Sequence, residues 1–157
     1  MTADADLARM EAAIAELLRL AASPRVHEAR MRTVGLPLSR TELRFLSRID
    51  EVGPLSVSAL AEELDVSQPT ASRSLRRLED LGFVRRRGDT ADGRVAIYET
   101  TAKGRRDRRR VHELMHRQLA DALAEVPARR RHDFAVLMDE LVTRLRAQGA
   151  SAERSAS

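Results

Sequence analysis

Cysteine is absent from the 157 residues. Structural disulfides, thiol redox sensing and cysteine-built zinc sites are therefore excluded. Tryptophan is absent too, and one tyrosine and three phenylalanines bring the aromatics to only 3% of the chain. Single strands and RNA loops are held by stacking on such rings, so duplex DNA is the better-matched nucleic acid. No apolar run approaches the roughly 20 residues needed to cross a bilayer. The opening stretch MTADADLARMEAAIAELL lacks the basic start and apolar core of a secretory signal. A soluble cytoplasmic chain without membrane contact is expected. No nucleophile elbow, phosphate loop or metalloprotease motif occurs, so an enzyme is not expected and no cofactor is implied.

What remains is a chain of 43% hydrophobic and 33% charged residues, a balance that favours a globular fold. Basic residues number 28 against 24 acidic ones, and Lys103 is the sole lysine. Arginine suits bidentate contact with phosphate or guanine, although uniform arginine use also fits codon bias. With so small a net charge, the distribution of charge matters more than its sum.

Apolar spacings of three and four predict a first helix over 5–22, with Leu7, Met10, Ile14, Leu17 and Ala21 on one stripe. Ser23-Pro24 interrupts it, and a second short helix follows to about Gly35. Ser39 and Glu42 form a capping box opening a helix with Leu43, Leu46, Ile49 and Asp50. After Gly53-Pro54, Ser56 caps a short helix bearing Leu60, Ala61 and Leu64. Asp65-Val66-Ser67 is a turn, and Ser67 caps the next helix, with Pro69 in its first turn. Two strands near 83–87 and 94–99 follow, the second with Val95 and Ile97 alternating with Ala96 and Tyr98. Thr101 caps a long helix to about 125 (Val111, Leu114, Met115, Leu119, Ala122, Leu123). Pro127 opens the last helix, striped by Phe134, Leu137, Met138, Leu141, Val142 and Leu145.

At 100° per residue, Ala71, Leu75 and Leu78 share the inner face of the helix over 67–81. The opposite face carries Pro69, Arg73, Arg76 and Asp80, flanked by Thr70 and Arg77 and by Gln68 and Ser72. An apolar anchor behind, with donors and acceptors in front, is how a helix that enters a DNA groove is built. Such a face also fits an ordinary amphipathic helix with solvated charges. The preceding short helix, the tight turn and the polar cluster at the helix start favour DNA. The hairpin adds Arg85, Arg86, Arg87 and Arg94, giving seven arginines against four acids within 22 residues. An arginine at the loop edge can enter the narrow minor groove; Asp92 and Arg94 can equally brace the loop.

The run from Val66 to Arg73 and that from Leu75 to Val84 resemble the recognition helix of MarR-family transcription regulators. Asp92-Gly93-Arg94 is similar to the Asp-x-Arg of their wing, and Thr101-Ala102-Lys103-Gly104 to the Thr-x-x-Gly that follows. The resemblance implies a mainly α fold with a small β-wing. A winged helix-turn-helix lobe would occupy 36–104. Helical dimerisation regions would lie at 1–35 and 105–148, and a disordered tail at 149–157. It implies a homodimer on a pseudo-palindromic operator in double-stranded DNA, acting as a repressor released by a small, often aromatic, ligand. By position, Gln68, Pro69, Thr70, Ser72 and Arg73 would face bases. Arg76 and Arg77 would lie near phosphate, with Arg86 and Arg87 beside them. Arg94 would enter the minor groove, positioned by Asp92. Thr100 stands where the family usually has leucine, and Ser23-Pro24 divides a segment that is often one helix.

Apolar stripes at both chain ends exceed what one small helix-turn-helix can cover, so a dimer of the outer helices is expected; an intramolecular helical layer is the alternative. His112 and His116, four apart, with His27 elsewhere, are weak metal candidates, and surface histidines explain them as well. The runs at 105–106, 108–110 and 129–131 read as solvated faces. Two other functions stay open: a winged helix that binds protein instead of DNA, and a zinc-responsive regulator of the same fold.

Overall fold

The computed structural model describes residues 3–87 and 96–156. Their order is α1 (Ala3–Ala22), α2 (Pro24–Val34), α3 (Arg40–Val52), β1 (Leu55–Ser56), α4 (Val57–Glu63), α5 (Gln68–Asp80), β2 (Val84–Arg87), β3 (Ile97–Thr100), α6 (Ala102–Ala122) and α7 (Ala128–Ala156). The chain divides into two units, 1–115 and 116–157, with the boundary inside α6. The fold is mainly helical with one small antiparallel sheet.

The helix boundaries follow local chemistry. Ser23 has an extended backbone and accepts the Val26 N–H at 3.4 Å, with Pro24 in the first turn, so α1 and α2 are separate helices. Proline costs nothing there because that N–H would have no helical partner. Gly35 ends α2 in the left-handed region (φ 66°), and Leu36 N–H returns to the Met31 carbonyl at 2.9 Å. That closure needs a positive φ, which glycine adopts without a Cβ penalty. The α3 capping box is complete: Ser39 Oγ accepts the Glu42 N–H at 3.2 Å, and Glu42 Oε2 accepts the Ser39 N–H at 2.7 Å.

The core of the first unit joins α3 (Phe45, Leu46, Ile49), α4 (Leu60, Ala61), α5 (Ala71, Leu75, Leu78) and the sheet (Phe83, Val84, Tyr98). It also takes Met31 and Val34 from α2 and Val111 and Leu114 from α6, across the boundaries at 36 and 104 read from the sequence. Leu43 and Leu64 pack at the edge, not the centre. Phe45 and Glu42 are buried on α3 instead of Asp50, because the face turned inward is set by α5 and the sheet.

Three strands form the sheet, in the order β1-β3-β2, where the sequence reading has two. Strand β1 is only two residues long, too short for any periodicity, and is held by pairing Leu55 with Tyr98 and Ser56 with Ile97. In β3 the alternation read from the sequence resolves with Tyr98 and Thr100 buried and Ile97 half-exposed. Antiparallel register explains it: Val84 pairs with Thr100 and both face the core. Burial, then the nearby Glu79 carboxylate, push the Tyr98 phenol above its ordinary pKa.

Thr101 ties the sheet to α6. Its Oγ1 lies 2.7 Å from the Gly82 carbonyl, to which it donates, and accepts the Gly104 N–H at 3.0 Å. A Cβ at Gly104 would lie 2.1 Å from the Phe83 carbonyl oxygen, so only glycine lets α6 start this close to β2. In the second unit, α7 continues to Ala156, beyond the tail boundary at 149. Ala150, Ala152, Glu153, Arg154 and Ala156 are strong helix formers, which outweigh Gly149 and the two serines between them.

Candidate nucleic-acid interface

Helices α4 and α5 meet through the turn at 64–67. Leu64 N–H returns to the Leu60 carbonyl at 3.2 Å and Val66 N–H to the Ala61 carbonyl at 2.9 Å. Asp65 takes a left-handed backbone (φ 51°), which aspartate tolerates better than most residues. Ser67 then caps α5, accepting the Thr70 N–H at 3.4 Å and touching Thr70 Oγ1 at 2.9 Å. Behind α5, Ala71, Leu75 and Leu78 are completely buried, so the helix cannot roll without opening the core.

The outward face is as the sequence predicts. Gln68, Pro69, Arg73 and Arg76 are exposed, with Thr70 and Ser72 half-buried beside them. Pro69, Ser72, Arg73, Arg76, Arg77 and Asp80 line one shallow polar groove of about 580 Å³. Among the described residues, the side chains of Arg73, Arg76, Arg86 and Arg87 have no ion-pair partner. Two other arginines are engaged. Arg85 pairs with Glu99 at 2.5 Å, and Arg77 pairs with Glu42 at 2.9 Å.

Strand register separates the hairpin arginines. Arg86 lies opposite Tyr98, and its backbone N–H reaches Glu79 Oε1 of α5 at 3.3 Å. Arg87 lies opposite Ile97, on the other face of the strand. Of the two, Arg86 is the one on the α5 side. Asp92 and Arg94 lie outside the described residues.

The arginine run after the wing is not a simple solvated face. Arg105 Nη1 donates to the Thr100 carbonyl at 2.7 Å. Arg108 Nε pairs with Asp50 at 2.5 Å, and Arg110 reaches the Val34 carbonyl at 2.8 Å and Asp107 at 3.1 Å. Sequence reasoning missed these because the partners lie on α2, α3 and β3. The one available signal was the buried Asp107 within the run, an acid where a solvated basic face needs none.

A cavity of about 910 Å³ lies between α2 and the segment leading into α3. Met31, Leu36 and Leu38 supply apolar wall; His27, Arg32 and Ser39 supply polar groups. His27 Nε2 is 2.7 Å from the Leu38 carbonyl, which commits that nitrogen as a donor. His112 and His116 are exposed on α6. Among the described residues, no group of three or more His, Asp or Glu is placed to hold a metal.

The model of the MarR family matches residues 38–96. YxaD of Bacillus subtilis, described as an uncharacterized HTH-type transcriptional regulator, is 35% identical over 68 residues, covering 43% of this chain and 48% of that protein. ML2140 of Mycobacterium leprae, described in the same words, is 30% identical over 94 residues, 60% of this chain and 66% of that protein. The matches thus span between about half and two thirds of these curated relatives. A solved MarR family protein from Bacillus stearothermophilus superposes with a TM-score of 0.69 and 25% identity, covering 87% of this chain and 96% of that one.

Proposed function

We propose that this chain, whose residues 38–96 match the MarR family, works as a homodimer that reads a pseudo-palindromic operator in duplex DNA and represses until a small ligand releases it. The observation that carries the DNA reading is the pair Arg73 and Arg76, exposed and without ion-pair partners among the described residues, on a helix whose back is fully buried. An arginine already paired with a carboxylate has spent much of its electrostatic reach; a free one offers its whole fork to a guanine edge or a phosphate. In this reading Gln68, Pro69, Thr70, Ser72 and Arg73 face bases in the major groove. Arg76, Arg86 and Arg87 hold the backbone, and Arg94, set by Asp92, enters the minor groove. The same free arginines disfavour a protein-binding role for α5.

Arg73→Ala is expected to relax preference at one base pair by about 1–3 kcal/mol. Competition binding against a panel of single-base variants of a selected duplex measures it. Equal weakening on every sequence would remove the base-reading role.

Dimerisation is supported by apolar side chains left in solvent. On α1 these are Leu7, Met10, Ile14, Leu17 and Leu18; on α7 they are Phe134, Leu137, Val142 and Leu145. Each would contribute roughly 1.5–3 kcal/mol if covered, and contiguous exposed stripes of this kind mark interaction surfaces. A second copy also places two recognition helices about 34–36 Å apart, one DNA turn. Sedimentation at micromolar concentration should show the dimer; a monomer there rules it out.

The ligand reading rests on the cavity beside α2. Its volume falls within the roughly 300–1,000 Å³ range of small-molecule sites, and its mixed apolar and polar lining suits a small aromatic compound.

A further inference from the structure

Arg77 lies on the recognition helix, and position alone assigns it to a phosphate. Its guanidinium, on a side chain that is 59% exposed, is nevertheless held by partners within the protein. Nε donates to Glu42 Oε1 at 2.9 Å, and Nη2 donates to the Pro37 carbonyl at 3.3 Å. Glu42 is 5% exposed. Its second oxygen, Oε2, accepts the Ser39 backbone N–H at 2.7 Å. One buried carboxylate therefore joins α5 to the start of α3, and Pro37 and Ser39 are part of the cavity wall.

We propose that Arg77 is a positioning residue, not a phosphate contact: with Glu42 it fixes the angle at which α5 is presented, and it ties that angle to the segment walling the cavity. The inference rests on the DNA-binding reading of α5. A buried carboxylate is tolerated only while paired and hydrogen-bonded. Drawing Arg77 away to a phosphate would strip Glu42 of its only charged partner among the described residues. Arg76, exposed and free of an ion-pair partner there, is the cheaper phosphate ligand. The same chain of contacts means that a displacement of the Pro37–Ser39 segment reaches α5 through two side chains.

The test uses the full chain, a duplex that the wild type selects from a randomised pool, and three variants: Arg77→Ala, Glu42→Gln and the double. Glutamine can still close the capping box, so Glu42→Gln removes the ion pair and spares the helix start. Each single variant should weaken binding roughly tenfold, the size of one charge-assisted hydrogen bond. The double should be no weaker than either single, because both remove the same link. Base preference should flatten in both singles, and the slope of log affinity against log salt should stay at the wild-type value. The proposal is overturned if Arg77→Ala reduces that slope by about 1.8, one phosphate's worth from each copy of the dimer, and weakens all sequences alike while Glu42→Gln binds normally. Should Glu42→Gln melt too early to assay, the slope and base preference of Arg77→Ala decide alone. A wild-type chain that binds no duplex at low salt overturns the DNA reading itself; binding with the phosphate pattern overturns only this inference.

Discussion

Leu75→Ala is expected to cost about 2–5 kcal/mol of stability, the range for a large buried aliphatic cut back to alanine. Leu75 is fully buried at the middle of α5, flanked by Ala71 and Leu78, in a core built from five helices and the sheet. The removed atoms lose their transfer energy, and the surroundings cannot collapse fully into the space. For a chain of this length the melting midpoint should fall by roughly 5–20 °C. Function should suffer as well, since Leu75 holds the back of the helix whose front carries Arg73 and Arg76. Circular dichroism melts of the variant and wild type give the first effect, and duplex binding below the variant's transition gives the second. An unchanged midpoint would show that α5 is not anchored as described.

The second large effect is on DNA affinity. Raising salt from about 50 to 200 mM should weaken binding by roughly three to four orders of magnitude. The figure follows from charge that is free to act. On α5 and β2, four arginines per chain (Arg73, Arg76, Arg86 and Arg87) lack ion-pair partners among the described residues, so the proposed dimer would offer eight. If the six assigned to the backbone (Arg76, Arg86 and Arg87 of each copy) meet phosphates, the slope of log affinity against log salt lies near −5. Many of the remaining arginines contribute little because they are neutralised at home: Arg48 by Glu63, Arg77 by Glu42, Arg85 by Glu99 and Arg108 by Asp50. This is why a chain with a formal net charge of only +4 can still present a strongly basic face. Titration of a labelled duplex at several salt concentrations measures the slope. A flat dependence would be incompatible with phosphate contacts from this surface.

The sequence made legible what short-range chemistry decides. Ser39 with Glu42, Ser67 before Pro69, and Gly35 after a helical run each obey rules that operate within one turn, and each cap sits where its residues put it. The inner face of α5 followed from helical period alone. What escaped depended on partners distant in the chain. Strand β1 exists only because β3 lies beside it. The inward turn of Tyr98 and Thr100 depends on register with β2. The capping box identified Glu42 as a helix-end residue, yet nothing local shows that its other oxygen meets Arg77. Arg108 and Arg110 looked like solvated charge because Asp50 and the Val34 carbonyl are on other helices. In the candidate site, the outward polar face of α5 was visible in advance, while the division of its arginines into engaged and free was not.

Tyr98 carries one more consequence. It is the only tyrosine, and there is no tryptophan, so with excitation beyond the phenylalanine band the chain's ultraviolet emission comes from a single ring at the base of the wing. That ring is 6% exposed and close enough to Glu79 of α5 to feel its charge. The molecule thus contains its own optical probe, with no label to add and no second emitter to subtract. It stands where the sheet meets α5, so changes in its lifetime or quenching report on that junction.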